Sequence, residues 1–245
     1  MTSSSTGVDN TTPGGPGYRE VLRESFSRRY EDGADSWSEE PAMRLLVPML
    51  TAELAPGSHV IDIGAGRGRD AEALLAAGHR VTVVDLVRLP DWDALAERWG
   101  DRVEFVVGNF TESGAEAGSE RGQGPESEPK SEPEPGEGPA VFDAAVDNGV
   151  LHHQDPADYP AYLAGVRRRL RPGGLLAISL FTTAEELAEG VLNRADDGRL
   201  SRWFNEQEAA ELLSGAGFAV TTTRLVRREL PGLAYLLVLA RRVES

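Results

Sequence analysis

Short apolar runs rich in β-branched residues alternate along the chain with segments whose apolar residues recur at helical spacing. The strand-like runs are His59–Ile63, Val81–Leu86, Val103–Val107, Val141–Val146, Leu175–Leu180, Phe218–Val226 and Tyr235–Ala240. The helix-like segments are Ala42–Ala52, Asp70–Ala77, Trp92–Trp99, Pro160–Leu170 and Glu206–Ala216. Strands that alternate with helices predict βαβ units and a parallel sheet, and near-continuous apolar strands predict burial on both faces.

The last two strand-like runs are connected by Arg227–Ala234, which shows no helical pattern, so they are predicted to form an antiparallel hairpin. The chain as a whole therefore predicts an α/β fold. We expect a seven-stranded, mostly parallel, doubly wound sheet with a C-terminal antiparallel hairpin and helices on both faces. Tyr18–Trp37 is typical of a helix followed by a loop before this core begins.

Two segments fall outside this alternation. Residues 1–17 are mostly Ser, Thr, Gly and Pro and lack the basic and apolar regions of a signal peptide, which predicts a disordered leader. Residues 111–139 hold eight glutamates against Arg121 and Lys130, a net charge of −6, and no aromatic residue. They are predicted to be a disordered acidic insertion, or alternatively an acidic docking segment, within a single domain that spans 18–245.

Composition excludes several kinds of chemistry. The chain has no cysteine, which rules out disulfides, thiolate metal sites, iron–sulfur clusters and a cysteine nucleophile. A formal charge of −15 disfavours nucleic acid and anionic membranes as partners. No run of eighteen apolar residues predicts a membrane span. We expect a cytoplasmic protein, and the richness in Ala, Gly and Arg suggests a bacterial origin; the oligomeric state stays open.

A glycine-rich loop follows the first strand-like run directly and precedes a helix. It reads Gly-Ala-Gly-Arg-Gly over residues 64–68, with Asp62 two residues before it. Glycines allow a sharp turn and a close approach of the backbone to a ligand. A dinucleotide-binding fingerprint would need a third glycine at position 69, where Arg69 stands instead.

This segment resembles motif I of class I S-adenosylmethionine-dependent methyltransferases of the small-molecule type, and the resemblance extends from about Ala42 to the C-terminus. It implies that S-adenosyl-L-methionine is the cofactor. It further implies that Asp62 helps to fix the amino group of the cofactor and that the loop wraps its methionine end through Gly64, Ala65, Gly66 and Gly68.

Residues after the second and third strands complete the expected cofactor site. Asp85, with Leu86 beside it, ends the second strand, and a carboxylate there can accept hydrogen bonds from both ribose hydroxyls. The family often places a polar residue two positions later, where this chain has Val87. Asn109 and Phe110 follow the third strand; by the resemblance Asn109 would bond the adenine and Phe110 would pack on it.

The fourth strand resembles motif IV of the family. By that resemblance Asp147 and Asn148 line the cofactor near its sulfonium. The sequence there is Asp-Asn-Gly-Val rather than the Asn-Pro-Pro-Tyr or Asp-Pro-Pro-Tyr that marks amino-nitrogen methylation of adenine or glutamine. Those two acceptors are therefore disfavoured.

Two adjacent histidines follow this strand. Adjacent side chains cannot both point into one site if the chain is extended, so we expect one of His152 and His153 to act as a general base or to position a nucleophile. The alternative is a loop histidine that caps or packs against the next helix. A metal site with Asp155 is disfavoured because the only other histidines, His59 and His79, lie far away in sequence, and no metal is expected.

The acceptor pocket is expected between two segments. Residues 18–41 are predicted to form a lid over the cofactor, with Tyr30 as its contact residue, although the aromatic residues there could merely pack the first helix on the sheet. Residues 181–205, which include Trp203 and Phe204, are predicted to be the acceptor-pocket insert. The residue types indicate an apolar or aromatic small molecule.

The resulting hypothesis is an S-adenosylmethionine-dependent methyltransferase that methylates oxygen, nitrogen or carbon of a small-molecule acceptor in a bacterial secondary or small-metabolite pathway. Direct displacement needs mainly proximity and orientation from the protein. One alternative is a protein of this fold that binds the cofactor without methyl transfer. A second alternative, an NAD-dependent oxidoreductase, lacks its Tyr-x-x-x-Lys pair, because Tyr159 is followed four residues later by Leu163.

Overall fold

The computed structural model describes residues 16–110, 141–185 and 187–244, so most of the predicted leader and the whole acidic insertion lie outside the described residues. Within these ranges the helices are α1 Pro16–Glu31, α2 Leu46–Thr51, α3 Arg69–Ala76, α4 Asp91–Trp99, α5 Tyr159–Arg169 and α6 Glu206–Gly215. The strands are β1 His59–Ile63, β2 Arg80–Asp85, β3 Val103–Val107, β4 Phe142–Asn148, β5 Leu170–Thr183, β6 Val191–Arg194, β7 Leu200–Trp203, β8 Phe218–Arg227 and β9 Leu233–Arg242.

All seven predicted strands are present in one sheet. Strands β3, β2, β1, β4 and β5 are parallel and neighbours in that order. Strand β9 pairs antiparallel with β5, and β8 pairs antiparallel with β9, which confirms the C-terminal hairpin. The strand order reverses its direction of growth between β1 and β4, and such a switch opens a crevice at the carboxyl ends of the strands.

The sheet is covered on both faces, as its apolar strands predict. On one face Leu74 of α3 and Trp92 of α4 are fully buried, and on the other Leu163 of α5 and Leu213 of α6 are. The strands feed both layers because successive side chains point to opposite faces. In β4, for example, Ala144 packs in the first layer and the next residue packs in the second.

Strands β6 and β7 form a short antiparallel ribbon that the sequence pattern did not predict. The ribbon joins the main sheet where Phe181 of β5 pairs with Trp203 of β7. Its outer strand exposes Val191 and Leu192 by 42% and 47%, so the residues show little of the alternation that marks a half-buried strand. The ribbon lies within the predicted acceptor-pocket insert, 181–205.

Helix α1 is fixed to this ribbon. Tyr18 and Leu22 of α1 form a small buried cluster with Leu200 of β7. The Tyr18 hydroxyl donates to the His153 carbonyl at 2.7 Å and accepts from the Leu200 amide at 2.8 Å. Burial raises the pKa of Tyr18 to about 12, so the hydroxyl stays protonated and keeps both hydrogen bonds at neutral pH. The N-terminal segment is thereby placed over the carboxyl ends of the parallel strands.

Candidate active site

A cavity of about 270 Å³ lies at the carboxyl ends of the parallel strands, where open α/β sheets bind their ligands. Its wall includes residues that follow β1, β2, β3 and β4, among them Gly64, Leu86, Gly108 and Gly149. A second cavity of about 70 Å³ adjoins it and shares part of its wall: Tyr30, Trp37, Met43, Gly64 and Asn148. Four strand ends and the N-terminal segment therefore enclose a single divided site.

Two glycines of the loop after β1 admit close packing at this site. Gly64 and Gly66 have φ of 68° and 53°, values that other residues adopt only with strain. A Cβ atom on Gly64 would overlap the side chain of Val150, and one on Gly66 would lie 2.5 Å from the Tyr30 hydroxyl. Ala65 and Gly66 both line the smaller cavity. The loop backbone can therefore approach a ligand without an intervening side chain.

Two members of the predicted cofactor set lie behind the wall. Gly68 lines neither cavity, and a Cβ atom there would overlap Leu95 of α4, so this glycine permits the packing of the loop on α4. Asp62 also lines neither cavity and is 1% exposed. The reason is that Asp62 lies within β1, one residue short of the strand's carboxyl end.

Buried carboxylates nevertheless surround the smaller cavity. Burial, reinforced by the neighbouring Asp70, raises the pKa of Asp62 well above its ordinary value, and its Oδ2 atom has no hydrogen-bond partner among the described residues. Asp70 lines the smaller cavity, and burial raises its pKa as well. A cation bound here would relieve the cost of ionising both groups. Sequence reasoning missed Asp70, although its place in the first turn after the glycine loop was a usable signal.

The two polar residues at the end of β4 have different positions. The Asn148 amide donates to Asp70 at 2.7 Å and to the Met43 carbonyl at 2.9 Å, its Oδ1 atom is buried without a partner, and the residue lines both cavities. Asp147 lines neither, in contrast to the expectation that it faces the cofactor. Consecutive strand residues point to opposite sides, so only one of the pair can face the cavity.

Asp147 instead closes the turn that follows β4. Its carboxylate accepts from the amides of residues 149–151, with the shortest bond, 2.7 Å, from Val150. It also accepts from the Tyr162 hydroxyl at 2.8 Å. Burial raises the pKa of Asp147 to about 6, against the opposing effect of these hydrogen bonds. Asp147 thereby fixes the turn that brings Gly149 and Val150 into the cavity wall.

Asp85 at the end of β2 lines the main cavity and supports the glycine loop. Its Oδ2 atom accepts from the Gly66 amide at 2.8 Å and its Oδ1 atom accepts from the Val87 amide at 3.0 Å. Residue 87 contributes through its backbone, so the missing polar side chain there does not leave Asp85 without support. Burial raises the pKa of Asp85. A carboxylate has about four acceptor positions, which leaves capacity for two ligand hydroxyls.

Asn109 and Phe110, which follow β3, both line the main cavity, as does Leu86 after β2. The Phe110 ring is 7% exposed and lies 5.6 Å from the Tyr162 ring, with the Arg169 guanidinium 4.5 Å from its centre on the other side. These contacts hold Phe110 in the wall. A flat ligand ring could lie against it, beside an amide that can both donate and accept.

The N-terminal segment closes the site through Tyr30. The Tyr30 hydroxyl accepts a hydrogen bond from Trp37, and burial raises the pKa of the hydroxyl. Arg67 of the glycine loop lies 5.5 Å from the centre of the Tyr30 ring and forms a two-pronged ion pair with Asp35, at 2.7 and 3.1 Å. This pairing raises the pKa of Arg67 and lowers that of Asp35. Sequence reasoning missed this ion pair, which ties the segment to the loop.

The geometry of the histidine pair differs from the expectation that only one can face the site. Residues 151–153 form a 3-10 turn rather than extended chain, and both His152 and His153 line the main cavity. Their ring centres are 4.5 Å apart at an interplanar angle of 69°. The His152 ring also stacks on Phe181, with centres 3.7 Å apart and planes at 25°. A turn places neighbouring side chains on one side, which an extended chain cannot do.

Both histidines are neutral at physiological pH. Burial lowers the pKa of His152 well below its ordinary value, and the neighbouring histidine adds to the effect. Burial, followed by Arg199, lowers the pKa of His153 to about 3. The Nδ1 atom of His153 is 2.8 Å from the Leu200 carbonyl, which can only accept, so that nitrogen carries the proton. Its Nε2 atom then accepts from Arg199 at 3.2 Å and is not free to take another proton.

The end of the cavity away from the glycine loop is aromatic and basic. Phe26 of α1, Phe181 of β5 and Tyr235 of β9 line it together with arginines that include Arg199 and Arg228. The insert 181–205 contributes Phe181, Arg199 and Ser201 to the wall. Trp203 and Phe204 of that insert do not line the cavity, and Phe204 is buried in the main core.

Two further observations concern the described residues alone. Among the helices of residues 16–110, 141–185 and 187–244, none is long and apolar enough to cross a bilayer. In the same ranges no group of three or more His, Cys, Asp or Glu residues is placed to hold a metal ion.

Comparisons with known proteins agree with this geometry. A family model described as a methyltransferase domain matches residues 35–223. A crystal structure of Burkholderia thailandensis 1,6-didemethyltoxoflavin-N1-methyltransferase, with bound 1,6-didemethyltoxoflavin and S-adenosylhomocysteine, is 40% identical. The match covers 97% of this chain and 94% of that one, with a TM-score of 0.82. No curated protein matches the sequence.

Two more distant structures share the fold. A methyltransferase of Methanosarcina mazei, described as dependent on S-adenosylmethionine, is 19% identical over 81% of this chain and 98% of that one, with a TM-score of 0.60. The [4+2]-cyclase SpnF is 18% identical over 83% and 81%, also with a TM-score of 0.60. The matched domain and the 40% identity over nearly the whole chain determine the assignment. The chain belongs to the class I S-adenosylmethionine-dependent methyltransferases.

Proposed function

We propose that this methyltransferase methylates a ring nitrogen of a flat aromatic small molecule, in a bacterial secondary or small-metabolite pathway. The observation that carries the proposal is the stack of His152 on Phe181, 3.7 Å apart in the cavity wall, with the Tyr235 ring 5.5 Å from Phe181. Such a wall offers π-faces to a flat ligand. The Burkholderia relative, whose name specifies N1-methylation of 1,6-didemethyltoxoflavin, supports nitrogen as the acceptor atom.

The cofactor end of the site fits S-adenosylmethionine. Glycines stand where a Cβ atom would fill the space beside the loop, and unpartnered oxygens of Asp62 and Asn148 lie buried near the smaller cavity. When bound, S-adenosylmethionine supplies a methyl group activated by a positively charged sulfur. We propose that Asp70 and Asn148 hold the amino group, with the carboxylate of Asp62 behind them as a source of negative charge.

The nucleoside would lie at the ends of β2 and β3. Asp85 would accept from the ribose hydroxyls while its two backbone bonds keep it oriented. Asn109 and Phe110 would flank the adenine, with Leu86 beside them. Tyr30 and the rest of residues 18–41 would cover the cofactor, and residues 181–205 would form one side of the acceptor pocket. This arrangement excludes water and orients the acceptor, which is most of what methyl transfer needs from the protein.

Neither histidine is proposed as a general base. His153 donates to Leu200 and accepts from Arg199, and the pKa values of both rings lie below the physiological range. We propose that His152 contributes its ring face to the acceptor pocket and that His153 positions Arg199.

The proposal is tested by incubating the full chain with S-adenosylmethionine and 1,6-didemethyltoxoflavin, followed by mass spectrometry of the small molecules. We expect a product heavier by one methyl group, formed only with the enzyme present. The position of methylation would then be read by NMR. Consumption of a panel of aromatic nitrogen heterocycles without any methylated product, or methylation at oxygen or carbon alone, would overturn it.

A further inference from the structure

The two ends of the main cavity carry opposite charge. Among the described residues, Asp85 is the only carboxylate that lines this cavity, and it stands at the cofactor end with Asp62 and Asp70 close by. Arg199 and Arg228 line the aromatic end. A cationic ligand is therefore favoured at the first end, and an anionic ligand is favoured at the second.

Arg228 already has a counter-charge. Its Nε atom is 3.2 Å from a carboxylate oxygen of Glu40, and the two side chains are only 10% and 6% exposed. The guanidinium also lies 5.2 Å from the centre of the Tyr235 ring. Arg228 thus serves as part of the wall and brings no unbalanced charge to the cavity.

Arg199 has no such partner. Among the described residues no carboxylate lies within 4 Å of its guanidinium, and its Nε atom is buried without a hydrogen bond. Its NH1 atom donates to the neutral His153 ring at 3.2 Å, and the guanidinium lies 5.4 Å from the centre of the Phe26 ring. A half-buried guanidinium held by a neutral ring and an aromatic face lacks an anion.

Arg29 adds to this imbalance. It lines the same cavity from α1, and its Nε atom is also buried without a partner. The nearest carboxylate is that of Asp197, 3.9 Å from NH2. That carboxylate already accepts from the Ser25 hydroxyl at 2.7 Å and from the Arg199 amide at 3.1 Å. The two arginines therefore share one weakly placed counter-charge.

We propose that Arg199, assisted by Arg29, forms a subsite for an anionic oxygen of the acceptor. The acceptor would then be an aromatic ring that carries an oxyanion, with the ring against His152 and Phe181 and the oxygen at the guanidinium. This inference rests on the proposed function for the aromatic ring, and it adds the charge that the ring must carry. Guanidinium groups bind such oxygens with short, charge-assisted hydrogen bonds.

The subsite explains how the reaction proceeds without a histidine base. An acceptor whose ring nitrogen is conjugated to the oxygen loses its N–H proton to water before it binds, and it enters as an anion. The nitrogen then forms a bond to the methyl carbon while the bond from that carbon to sulfur breaks and sulfur keeps the electron pair. The anion and the sulfonium become a neutral ring and a thioether, so the charge that Arg199 holds disappears and product release is favoured.

The test measures binding alone, with the full chain saturated with S-adenosylhomocysteine. Benzoate and benzamide serve as probes of nearly equal shape that differ in charge, and their dissociation constants are measured by NMR titration. Arg199→Met removes the guanidinium. Arg194→Met is the matched control, because Arg194 is exposed on the neighbouring strand and its NH1 atom donates to the Gly198 carbonyl. Melting temperatures check that each variant is folded.

We expect the wild type and Arg194→Met to bind benzoate about tenfold or more tightly than benzamide, and Arg199→Met to lose this preference while keeping its affinity for benzamide. A wild-type preference below threefold overturns the inference whether or not the variant folds. An unchanged preference in Arg199→Met overturns it as well. Failure to methylate 1,6-didemethyltoxoflavin would count against the proposed function only, since these measurements require no turnover.

Discussion

The Tyr30 hydroxyl occupies the space beside Gly66: a Cβ atom on Gly66 would lie 2.5 Å from that oxygen and 3.4 Å from the ring carbon that bears it. The N-terminal segment therefore rests directly on the glycine loop, and the ion pair of Arg67 with Asp35 holds it there. Any side chain at position 66 must displace either the loop or this cover.

We expect Gly66→Ala to weaken S-adenosylhomocysteine binding by about tenfold or more, because the methyl group displaces Tyr30 and φ of 53° strains alanine. Gly78→Ala is the matched control. It has the same kind of strain, with φ of 94°, but nothing lies within 4 Å of its Cβ position, and it lies in the turn between α3 and β2. Isothermal titration calorimetry measures both variants.

A double variant separates the contact from the strain. Tyr30→Phe removes the oxygen that the Cβ atom would meet, so Gly66→Ala in the Tyr30→Phe background should recover part of the lost affinity. Equal losses in Gly66→Ala and Gly78→Ala, with no recovery in the double variant, would show that the Tyr30 contact has no role in binding.

Substitution of His152 by phenylalanine distinguishes stacking from base catalysis. His152→Phe keeps a flat ring on Phe181 but removes both nitrogens, and a general base typically contributes 10²–10⁴-fold to a rate. We expect kcat to fall by less than about tenfold and the pH profile to keep its shape, whereas His152→Ala should raise KM for the acceptor. Steady-state rates measured with the acceptor identified above provide the comparison. A loss of 100-fold or more in His152→Phe would restore the histidine as a base.

His153 should make the protein sensitive to acid. Its pKa is about 3 in the folded chain against an ordinary value of 6.5, so between these pH values the unfolded chain binds a proton that the folded chain does not. Stability from this residue is full above pH 6.5 and is lost as the pH falls towards 3. The upper limit is about 5 kcal/mol.

Urea unfolding of the ligand-free protein between pH 4 and 7 measures this effect. His153→Asn can still donate to the Leu200 carbonyl but does not titrate, so its free energy of unfolding should fall less steeply with acid than that of the wild type. Parallel curves for the two proteins would contradict the assignment of a neutral, buried His153.

The Tyr18 hydroxyl should stabilise the junction of α1 with the β6–β7 ribbon. Tyr18→Phe leaves the His153 carbonyl and the Leu200 amide without their partner, and a buried unpaired group costs about 1–3 kcal/mol. We expect a loss of that size in the free energy of unfolding by urea. A change below about 0.5 kcal/mol would show that these backbone groups find other partners.

The fold was predictable because its strands are apolar throughout. The expected His59–Ile63 and Val103–Val107 match β1 and β3 residue for residue, and the loop glycines marked the turn into α3. The ribbon of β6 and β7 was missed because Val191 and Leu192 are exposed, so no buried face imposes an alternating pattern. Its existence depends on pairing with β5 and packing under α1, which are contacts distant in sequence.

The site was predictable where a residue directly ends a strand. Gly64, Asp85 and Asn109 could be assigned to the wall because the carboxyl ends of parallel strands share one edge. Asp147 could not be separated from Asn148 without knowing which of the two faces the cavity. The positions of Arg67 and Arg199 depend on contacts with α1 and with the histidine turn, and no local pattern predicts such contacts.

The central claim is that the carboxyl ends of β1 and β2 bind S-adenosylmethionine through the glycine loop and Asp85. The most direct measurement is the melting temperature with S-adenosylmethionine, S-adenosylhomocysteine or NADH, for the wild type and for Asp85→Ala. A ligand that binds only the folded state stabilises it by about 2.7 kcal/mol at a hundredfold excess over Kd. We expect a rise with the two adenosyl ligands, none with NADH, and a clearly smaller rise in Asp85→Ala. A rise with NADH alone, or an equal rise in Asp85→Ala, would contradict the account.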